Sequence, residues 1–462
     1  MRFRRKTNLR HLMRVAGMIS GLAVGLGGFA YGSPDGGAVS PQSSETGRAV
    51  GNNPEPRRYT GPGSCSSISC HGSLKPRTET RIGQNEYSIW AMQDKHAQAF
   101  TVLSNPVALR MARLLGLGAP DQEAKCLACH ALTAPPEERG RTLDLSDGVS
   151  CEVCHGPASA WLGEHTTRGW THERSVALGM YDTRDLVKRT ELCLNCHLGD
   201  KDRVVDHEMV AAGHPDLYFE LSSFSAALPR HWKTPPESAP AWEAGEWAVG
   251  QAAQLRRDLD RLAALAQAGT WPEYSQFDCF ACHHSLTDAA HSWRQERGYA
   301  GRRPGNPPWD ESRYVVFRVF LQEVDRAAAQ RLDEPITQLA AEMNRLTPDR
   351  KLVASLCAAS HRALEEAIPQ LKGENYDDRL ALRLLHAVAE EGDSLANAGE
   401  RSAEQAAMAL DTFYLAYSLR HPSADPEVQS AISGLFPLLE DPAAYDQSKF
   451  AQQMRKVKAA LH

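Results

Sequence analysis

The distribution of apolar positions divides the chain into two parts. From residue 312 onwards apolar residues recur at spacings of three and four, as in "RYVVFRVFLQEVDRAAAQRL", "DDRLALRLLHAVAEEGDSLANA" and "AEQAAMALDTFYLAYSLRH". This period is typical of amphipathic helices that turn one face to a core. The pattern therefore predicts an α-helical C-terminal domain over residues 312–462, in the form of an antiparallel bundle.

The part before this bundle is less regular. "PVALRMARLLG" at 106–116 and "AVGQAAQLRRDLDRLAALAQAG" at 248–269 carry the helical period. The alternating patterns typical of strands are scarce throughout the sequence. We therefore predict a mostly α fold, with short helices and loops over residues 59–297. The Gly/Pro-rich run "GYAGRRPGNPPWDE" at 298–311 is interpreted as the linker to the bundle.

The N-terminus has the pattern of an export signal. Residues 1–14 carry six cations and no acid, and an uncharged apolar stretch up to Tyr31 ends in a small-x-small site. This order predicts a secretory signal peptide over residues 1–32, with an uncleaved membrane anchor as the alternative. Residues 33–58 are rich in Gly, Ser, Pro and Asn and are predicted to be a flexible linker. The expected location is periplasmic.

The charge of the chain bears on its partners. The net charge is −6, and removal of the cationic leader makes the mature protein more acidic. An acidic protein is a poor ligand for nucleic acid. We expect redox partner proteins with a basic docking face, and membrane association only through an uncleaved leader or a partner.

Cysteine and histidine carry the candidate chemistry. Of eleven cysteines, ten form five close pairs, and a histidine directly follows the second cysteine of each pair. Two thiols at this spacing can form thioethers to one porphyrin, and the histidine then reaches the iron. Zinc pairs or redox dithiols are the alternatives, but neither requires that histidine. The pattern predicts about five covalently attached haem c groups. The five motifs, in chain order, are Cys65, Cys70, His71; Cys126, Cys129, His130; Cys151, Cys154, His155; Cys193, Cys196, His197; and Cys279, Cys282, His283.

The first motif, "CSSISCH", departs from the other four because four residues separate its cysteines. The alternative interpretation is a short-loop disulfide with an incidental histidine. His71 follows Cys70 as in the regular motifs, and Cys357 is the single cysteine outside the pairs. Cys357 is predicted to be a buried apolar residue of a helix. We therefore predict a haem at this motif.

Thirteen further histidines are candidates for the second axial position of each iron. A haem capped by two histidines moves electrons, whereas an uncapped one can bind a small molecule. The expected caps include His165, His207 and His214, the last fixed by Pro215, with His231 in "PRHW" as the reserve.

The sequence also resembles a known family. The runs "DKHAQAF", "CEVCHGPASAWLGEHT" and "CHLGDKDRVVDHEMVAAGHPDLYFEL" are similar to the cytochrome c-554 (cytochrome c-552/4) family, over roughly residues 59–310. The larger exported pentahaem members, with a helical C-terminal extension, resemble the chain most. The small tetrahaem cytochromes of the c-three class offer a looser parallel, since they contain four-residue gaps and runs like "CFACHH". The first resemblance implies His96 as a distal ligand, and the second implies His284.

These observations lead to one function and one main alternative. We expect a multihaem c-type cytochrome that relays electrons, with no catalytic residue of its own. The alternative is a redox enzyme with one open haem, acting on a small nitrogen or sulfur compound. The helical domain could also dock a membrane or periplasmic partner.

Overall fold

The computed structural model describes residues 57–80, 82–233, 239–279, 282–283, 307–421 and 425–461. Within these ranges the chain is mostly α-helical, which confirms the predicted fold class. The pairing of extended segments in the described residues is limited to two isolated bridges, Tyr59 with Arg139 and Phe277 with Trp309. The predicted leader lies outside the described residues, as does almost all of the linker at 33–58.

The first part of the chain consists of short helices joined by turns. Several begin at a side-chain cap, as where Asp206 accepts a hydrogen bond from the Met209 amide. Gly213 ends that helix at φ 115°, a conformation that favours glycine. The helices are α1 Glu86–Gln93, α2 Pro106–Leu114, α3 Ala124–His130, α4 Cys151–His155, α5 His172–Ala177, α6 Leu186–His197, α7 His207–Ala212 and α8 Leu221–Ala227. Short 3₁₀ helices cover Pro62–Cys65, Lys95–Gln98, Thr101–Ser104, Pro136–Glu138, Leu145–Asp147, Glu164–Thr166 and Tyr274–Gln276.

The second part is built from longer helices around one apolar core. The core takes in residues from Ala244 to Val457, and Cys357 is buried in it, as predicted for that residue. The helices are α9 Ala239–Ala268, α10 Ser312–Val324, α11 Arg326–Met343, α12 Arg350–Gly373, α13 Asp378–Glu390, α14 Gly392–Asn397, α15 Glu400–Ser418, α16 Pro426–Ser433 and α17 Gln447–Ala460. Short 3₁₀ helices cover Phe436–Leu439 and Pro442–Ala444.

Helix α9 joins the two parts. Its Trp247 is fully buried and lies with its ring centroid 5.2 Å from that of Phe320 and 4.9 Å from that of Phe413. This helix precedes the linker predicted at 298–311 but shares the core of the helices that follow it. Only residues 307–311 of that linker are described.

Charged contacts fix α9 against α6, the helix that carries the fourth motif. Arg189 of α6 donates to Glu246 of α9 at 2.7 Å, and Arg256 of α9 pairs with Glu191 of α6. These ion pairs lie between two packed helices. Because packing already restricts the side chains, forming the pairs costs less side-chain entropy. Helix α9, which shares the core of the C-terminal helices, therefore packs directly against the helix that carries the fourth motif.

The first part has small apolar clusters of its own. One contains Leu194, Leu198, Phe219 and Leu221, and another contains Leu103, Leu127 and Ala131. Their small size fits a fold in which a bound group supplies part of the interior. In the described part of the chain, no helix is both long and apolar enough to cross a bilayer.

Candidate functional site

Three of the regular motifs occupy the last turn of a helix. Helices α3, α4 and α6 end at His130, His155 and His197. In a helix, residues three apart share a face, so the two cysteines of each motif project to the same side. The histidine then follows at the helix end. The motif spacing and the helix geometry thus place two thiols and one imidazole around one site.

The first motif closes in a different way. The 3₁₀ helix Pro62–Cys65 leads into a turn, and the His71 amide donates to the Cys65 carbonyl at 3.2 Å. Cys65 and Cys70 are free thiols in this structure. A Cβ at Gly72 would lie 1.8 Å from the Ser66 carbonyl oxygen, so this tight turn requires glycine. The longer gap is therefore absorbed in a turn that keeps His71 next to both thiols.

The fifth motif lies against the helical domain. The His283 amide donates to the Cys279 carbonyl at 2.8 Å, so these two residues form one turn. Arg401 of α15 donates to the Cys279 Sγ at 3.2 Å and to Asp310 at 2.6 Å. His284, the predicted cap next to this motif, lies outside the described residues.

Four motif histidines face a second histidine at nearly constant separation. In each case the second ring comes from another segment of the chain. The pairs and their centroid distances are His71 with His165 at 6.2 Å, His197 with His96 at 6.1 Å, His155 with His231 at 6.5 Å, and His283 with His207 at 6.2 Å.

The motif histidine of α3, His130, lies within electrostatic range of His214. Burial is the main cause that lowers the pKa of His214, and the nearby charge of His130 lowers it further. His214 follows the end of α7, where Gly213 turns the chain. Four motif histidines therefore face a second histidine, and His214 is the candidate partner of His130.

This separation fits a metal ion held between two imidazoles. Bonds of about 2 Å on either side of an ion, plus the two ring radii, put the centroids roughly 6 Å apart. Imidazoles are ordinary axial ligands of haem iron. The residues at these four motifs thus fit a haem, with two thiols to attach it and two histidines as axial ligands, and the motif of α3 has the same thiols and its own histidine.

The hydrogen bonds of these histidine rings also fit metal coordination. Six of them use Nδ1 to donate to an oxygen of the protein, which leaves Nε2 free for a metal ion, the usual arrangement of histidine ligands. By contrast, His172 and His421 use Nε2 to bind carboxylates. The six donors and their acceptors are His71 to Glu86, His96 to Asp94, His130 to the Ala99 carbonyl, His165 to the Trp161 carbonyl, His214 to the Pro215 carbonyl and His231 to the Pro229 carbonyl.

The surroundings also set the protonation of these rings. Burial lowers the pKa of His155 to about 4 and that of His197 to about 4, so both are neutral near pH 7, the form that binds metal. At His71 the hydrogen bond to Glu86 raises the pKa. Desolvation acts to lower the pKa of His96, but Asp94 outweighs it and raises the pKa.

Thiols of different motifs are neighbours. The Cys65 thiol shares a hydrogen bond with Cys151, and this contact lowers the Cys65 pKa to about 7. The Cys129 and Cys196 thiols share another, which raises the pKa of Cys129. Desolvation raises the pKa of Cys154 to about 12, and the charge of Cys193 adds to the effect. Cysteines of the first and third, the second and fourth, and the third and fourth motifs are therefore close to each other.

Of the predicted caps, His96, His165 and His207 each face a motif histidine, and His214 lies within electrostatic range of His130. The reserve, His231, faces His155. The run "PRHW" contains no sequence motif that would have indicated His231 as a primary candidate for an axial ligand. The one local signal was the proline two residues before it, whose carbonyl holds the ring, together with Trp232, whose ring lies 5.1 Å away.

Comparison with known proteins gives one finding. A family model described as "Cytochrome c554 and c-prime" matches residues 65–156, which contain the first three motifs. No curated protein and no solved structure matches the chain. The match supports a c-type cytochrome electron carrier with covalently bound haem c.

Proposed function

We propose that the protein is an exported multihaem cytochrome that holds five haems and relays electrons between protein partners. The observation that carries this proposal is that four of the five motif histidines face a second histidine, with ring centroids 6.1 to 6.5 Å apart. The export signal in the sequence supports a periplasmic location.

In this proposal each haem is held by the two cysteines of its motif and by two histidines. Haem iron supplies a one-electron couple when it is bound. The axial pairs are His71 with His165, His130 with His214, His155 with His231, His197 with His96, and His283 with His207. With these five pairs His284 is not needed as an axial ligand, and His231 takes its place in the set.

Two axial histidines leave no open coordination position, which favours electron transfer over reaction with a small substrate. The alternative, an enzyme acting on a small nitrogen or sulfur compound, requires one iron without a second ligand. Among the described residues, four motifs have a facing histidine, and His214 is the candidate second ligand for the remaining one. The electron carrier is therefore the function that this geometry supports best.

The contacts between motifs support an order for the relay. Cys65 and Cys151 link the first motif to the third, and Cys154 and Cys193 link the third to the fourth. Cys129 and Cys196 link the fourth to the second. The second and fifth are joined through α7, which begins at His207 and is followed by His214. The proposed order is first, third, fourth, second, fifth, so the first and fifth motifs are the ends.

The test is the haem content and spin state of the holoprotein, purified from a host that matures c-type cytochromes. We expect five haems per chain by the pyridine haemochrome assay, and an electron paramagnetic resonance spectrum that is entirely low-spin. Carbon monoxide should leave the reduced spectrum unchanged. Fewer than four haems per chain would refute the multihaem relay, and a high-spin signal with carbon monoxide binding would favour the enzyme.

A further inference from the structure

Exposed apolar side chains are frequent in the segment between residues 68 and 114, which begins within the first motif. The structure describes eleven large apolar side chains as exposed, and seven of them lie between residues 68 and 114. Single exposed apolar residues are ordinary, but a concentration of them marks an interaction site. The seven are Ile68, Leu74, Ile82, Met92, Val102, Leu109 and Leu114.

Three of these side chains lie on one set of tied loops. Ile68, in the gap of the first motif, is 68% exposed; Leu74 is 75% exposed and Ile82 is 44% exposed. The Gln84 side chain donates to the Ser69 carbonyl at 3.1 Å. Backbone bonds from Ser73 to Gln84 at 2.9 Å and from Arg77 to Gly83 at 2.7 Å close the loop between them. The apolar side chains are thus held on a defined surface.

Cations surround these side chains. Lys75, Arg77 and Lys233 are exposed, and Lys233 reaches over the loop to donate to the Arg77 carbonyl at 3.1 Å and the Thr80 carbonyl at 2.6 Å. Glu79 is the exposed acid of the loop, whereas Glu86 turns inward to His71. This surface is therefore basic, although the chain as a whole carries −6.

We propose that Ile68, Leu74, Ile82, Lys75, Arg77 and Lys233 form a docking surface for an acidic redox protein, which exchanges electrons with the haem of the first motif. The inference rests on the proposed function and on the first motif being one end of the relay. An apolar centre with a charged rim is the usual composition of a transient interface, in which the charges speed association. The net charge alone predicts a basic partner; the local surface assigns an acidic one to this end.

The same composition could serve an anionic membrane surface. Peripheral membrane binding usually relies on an amphipathic helix that buries one apolar face. Here the apolar side chains project from short loops that surround an attachment site. The position favours a protein that comes close to the haem, so the membrane is the competing outcome of the test.

The probe is flavodoxin, a small acidic electron-transfer protein, in its reduced form. Stopped-flow absorbance would follow reduction of the oxidised holoprotein at increasing ionic strength. We expect the second-order rate constant to fall with salt, and to fall about tenfold or more at low salt in K75E/R77E/K233E. The matched control, K351E/R362E/K456E, makes the same change of charge at exposed positions of the helical domain and should lower the rate constant far less. L74S/I82S should lower it at all salt concentrations.

Equal rate constants for the two charge-reversal variants would overturn the proposal. So would charge-dependent binding to phosphatidylglycerol vesicles in sedimentation, with the flavodoxin rate constant unchanged, since it would assign the surface to a membrane. Should reversal at Lys233 disturb the nearby His231, K75E/R77E repeats the comparison. Dithionite reduction and the haem content of each variant separate these results from a failure of the proposed function, because they do not depend on docking.

Discussion

His71 and His165 face each other with their rings 8° from parallel and their centroids 6.2 Å apart. His165 belongs to the 3₁₀ helix after the third motif, and its Nδ1 donates to the Trp161 carbonyl at 3.0 Å. The Trp161 ring meets His165 edge-on at 5.5 Å. A histidine that follows the third motif thus faces the histidine of the first.

This pairing makes His165→Ala an informative variant. The first haem should lose one axial ligand, so we expect a high-spin ferric signal from about one haem in five and an unchanged haem content. Electron paramagnetic resonance of the oxidised protein measures it. His172→Ala is the control, because His172 binds Asp182 through Nε2 at 2.9 Å. A spectrum that stays entirely low-spin in His165→Ala would contradict the pairing.

The proposed pairing predicts opposite effects for substitutions of His231 and of His284. His231 faces His155 at 6.5 Å, so His231→Ala should open the third haem and allow the reduced protein to bind about one carbon monoxide per chain. His284→Ala should bind no more than the unaltered protein does. Titration with carbon monoxide, followed in the Soret band, separates the two. The reverse result would restore His284 as the axial ligand.

The sequence predicted helices well where apolar residues recur at spacings of three and four. The segments at 106–116 and 248–269 are helical over Pro106–Leu114 and within Ala239–Ala268. The period could not show which core each helix joins, because α9 precedes the predicted linker and packs beyond it. The spacing of apolar residues indicates which face of a helix is buried, but it does not identify the helices against which that face packs.

The candidate site was predictable to the extent that its residues are adjacent in sequence. Cysteine pairs followed by histidine are local, so the motifs were evident from spacing alone. The second histidine of each pair comes from another segment, as His165 does for His71 and His231 for His155. Such partners depend on the tertiary fold, for which one sequence gives no spacing rule.

Glu86 should tune the first haem through His71. Its carboxylate accepts the His71 Nδ1 proton at 2.9 Å, which makes the imidazole a stronger donor to a metal ion. Glu86→Gln removes this negative charge, so the oxidised state loses stabilisation. We expect the midpoint potential of one haem to rise, on the order of tens of millivolts. Spectroelectrochemical titration measures it, with Glu79→Gln as the control of equal charge change on the exposed loop. Identical titrations for both variants would contradict this role.

Glu152, the second residue of "CEVCH", should stabilise the first part of the chain. Its buried carboxylate accepts the amides of Thr60 at 2.8 Å, Gly61 at 2.6 Å and Ala158 at 2.8 Å. Glu152→Ala leaves these donors without an acceptor, which costs on the order of 3 kcal/mol or more. We expect Tm of the holoprotein to fall by roughly 5 °C or more in a thermal melt. The exposed Glu164→Ala should leave Tm within about a degree, and equal melts would show that the carboxylate is dispensable.

Glu400 and Glu404, in the first turns of α15, should make stability depend on pH. Burial raises the pKa of Glu400 to about 7 and, together with Glu400, raises the pKa of Glu404. Arg401, Asp216 and Asp278 are the other charged groups that act on Glu400. An unfolded glutamate releases its proton near pH 4.5, so the folded state holds more protons above that pH.

Stability should therefore fall as pH rises from about 4.5 to 7 and then level off for Glu400, a change of about 3 kcal/mol. Glu400→Gln cannot ionise and should lose much of this slope. Thermal melts at pH 5, 6, 7 and 8, followed by far-UV circular dichroism, would show a smaller decrease of Tm than in the unaltered protein. Glu374→Gln, at an exposed position, is the matched control and should keep the full decrease. Parallel curves for Glu400→Gln and Glu374→Gln would mean that the buried carboxyl is ionised throughout, because only a proton released inside the folded protein links its stability to pH in this range.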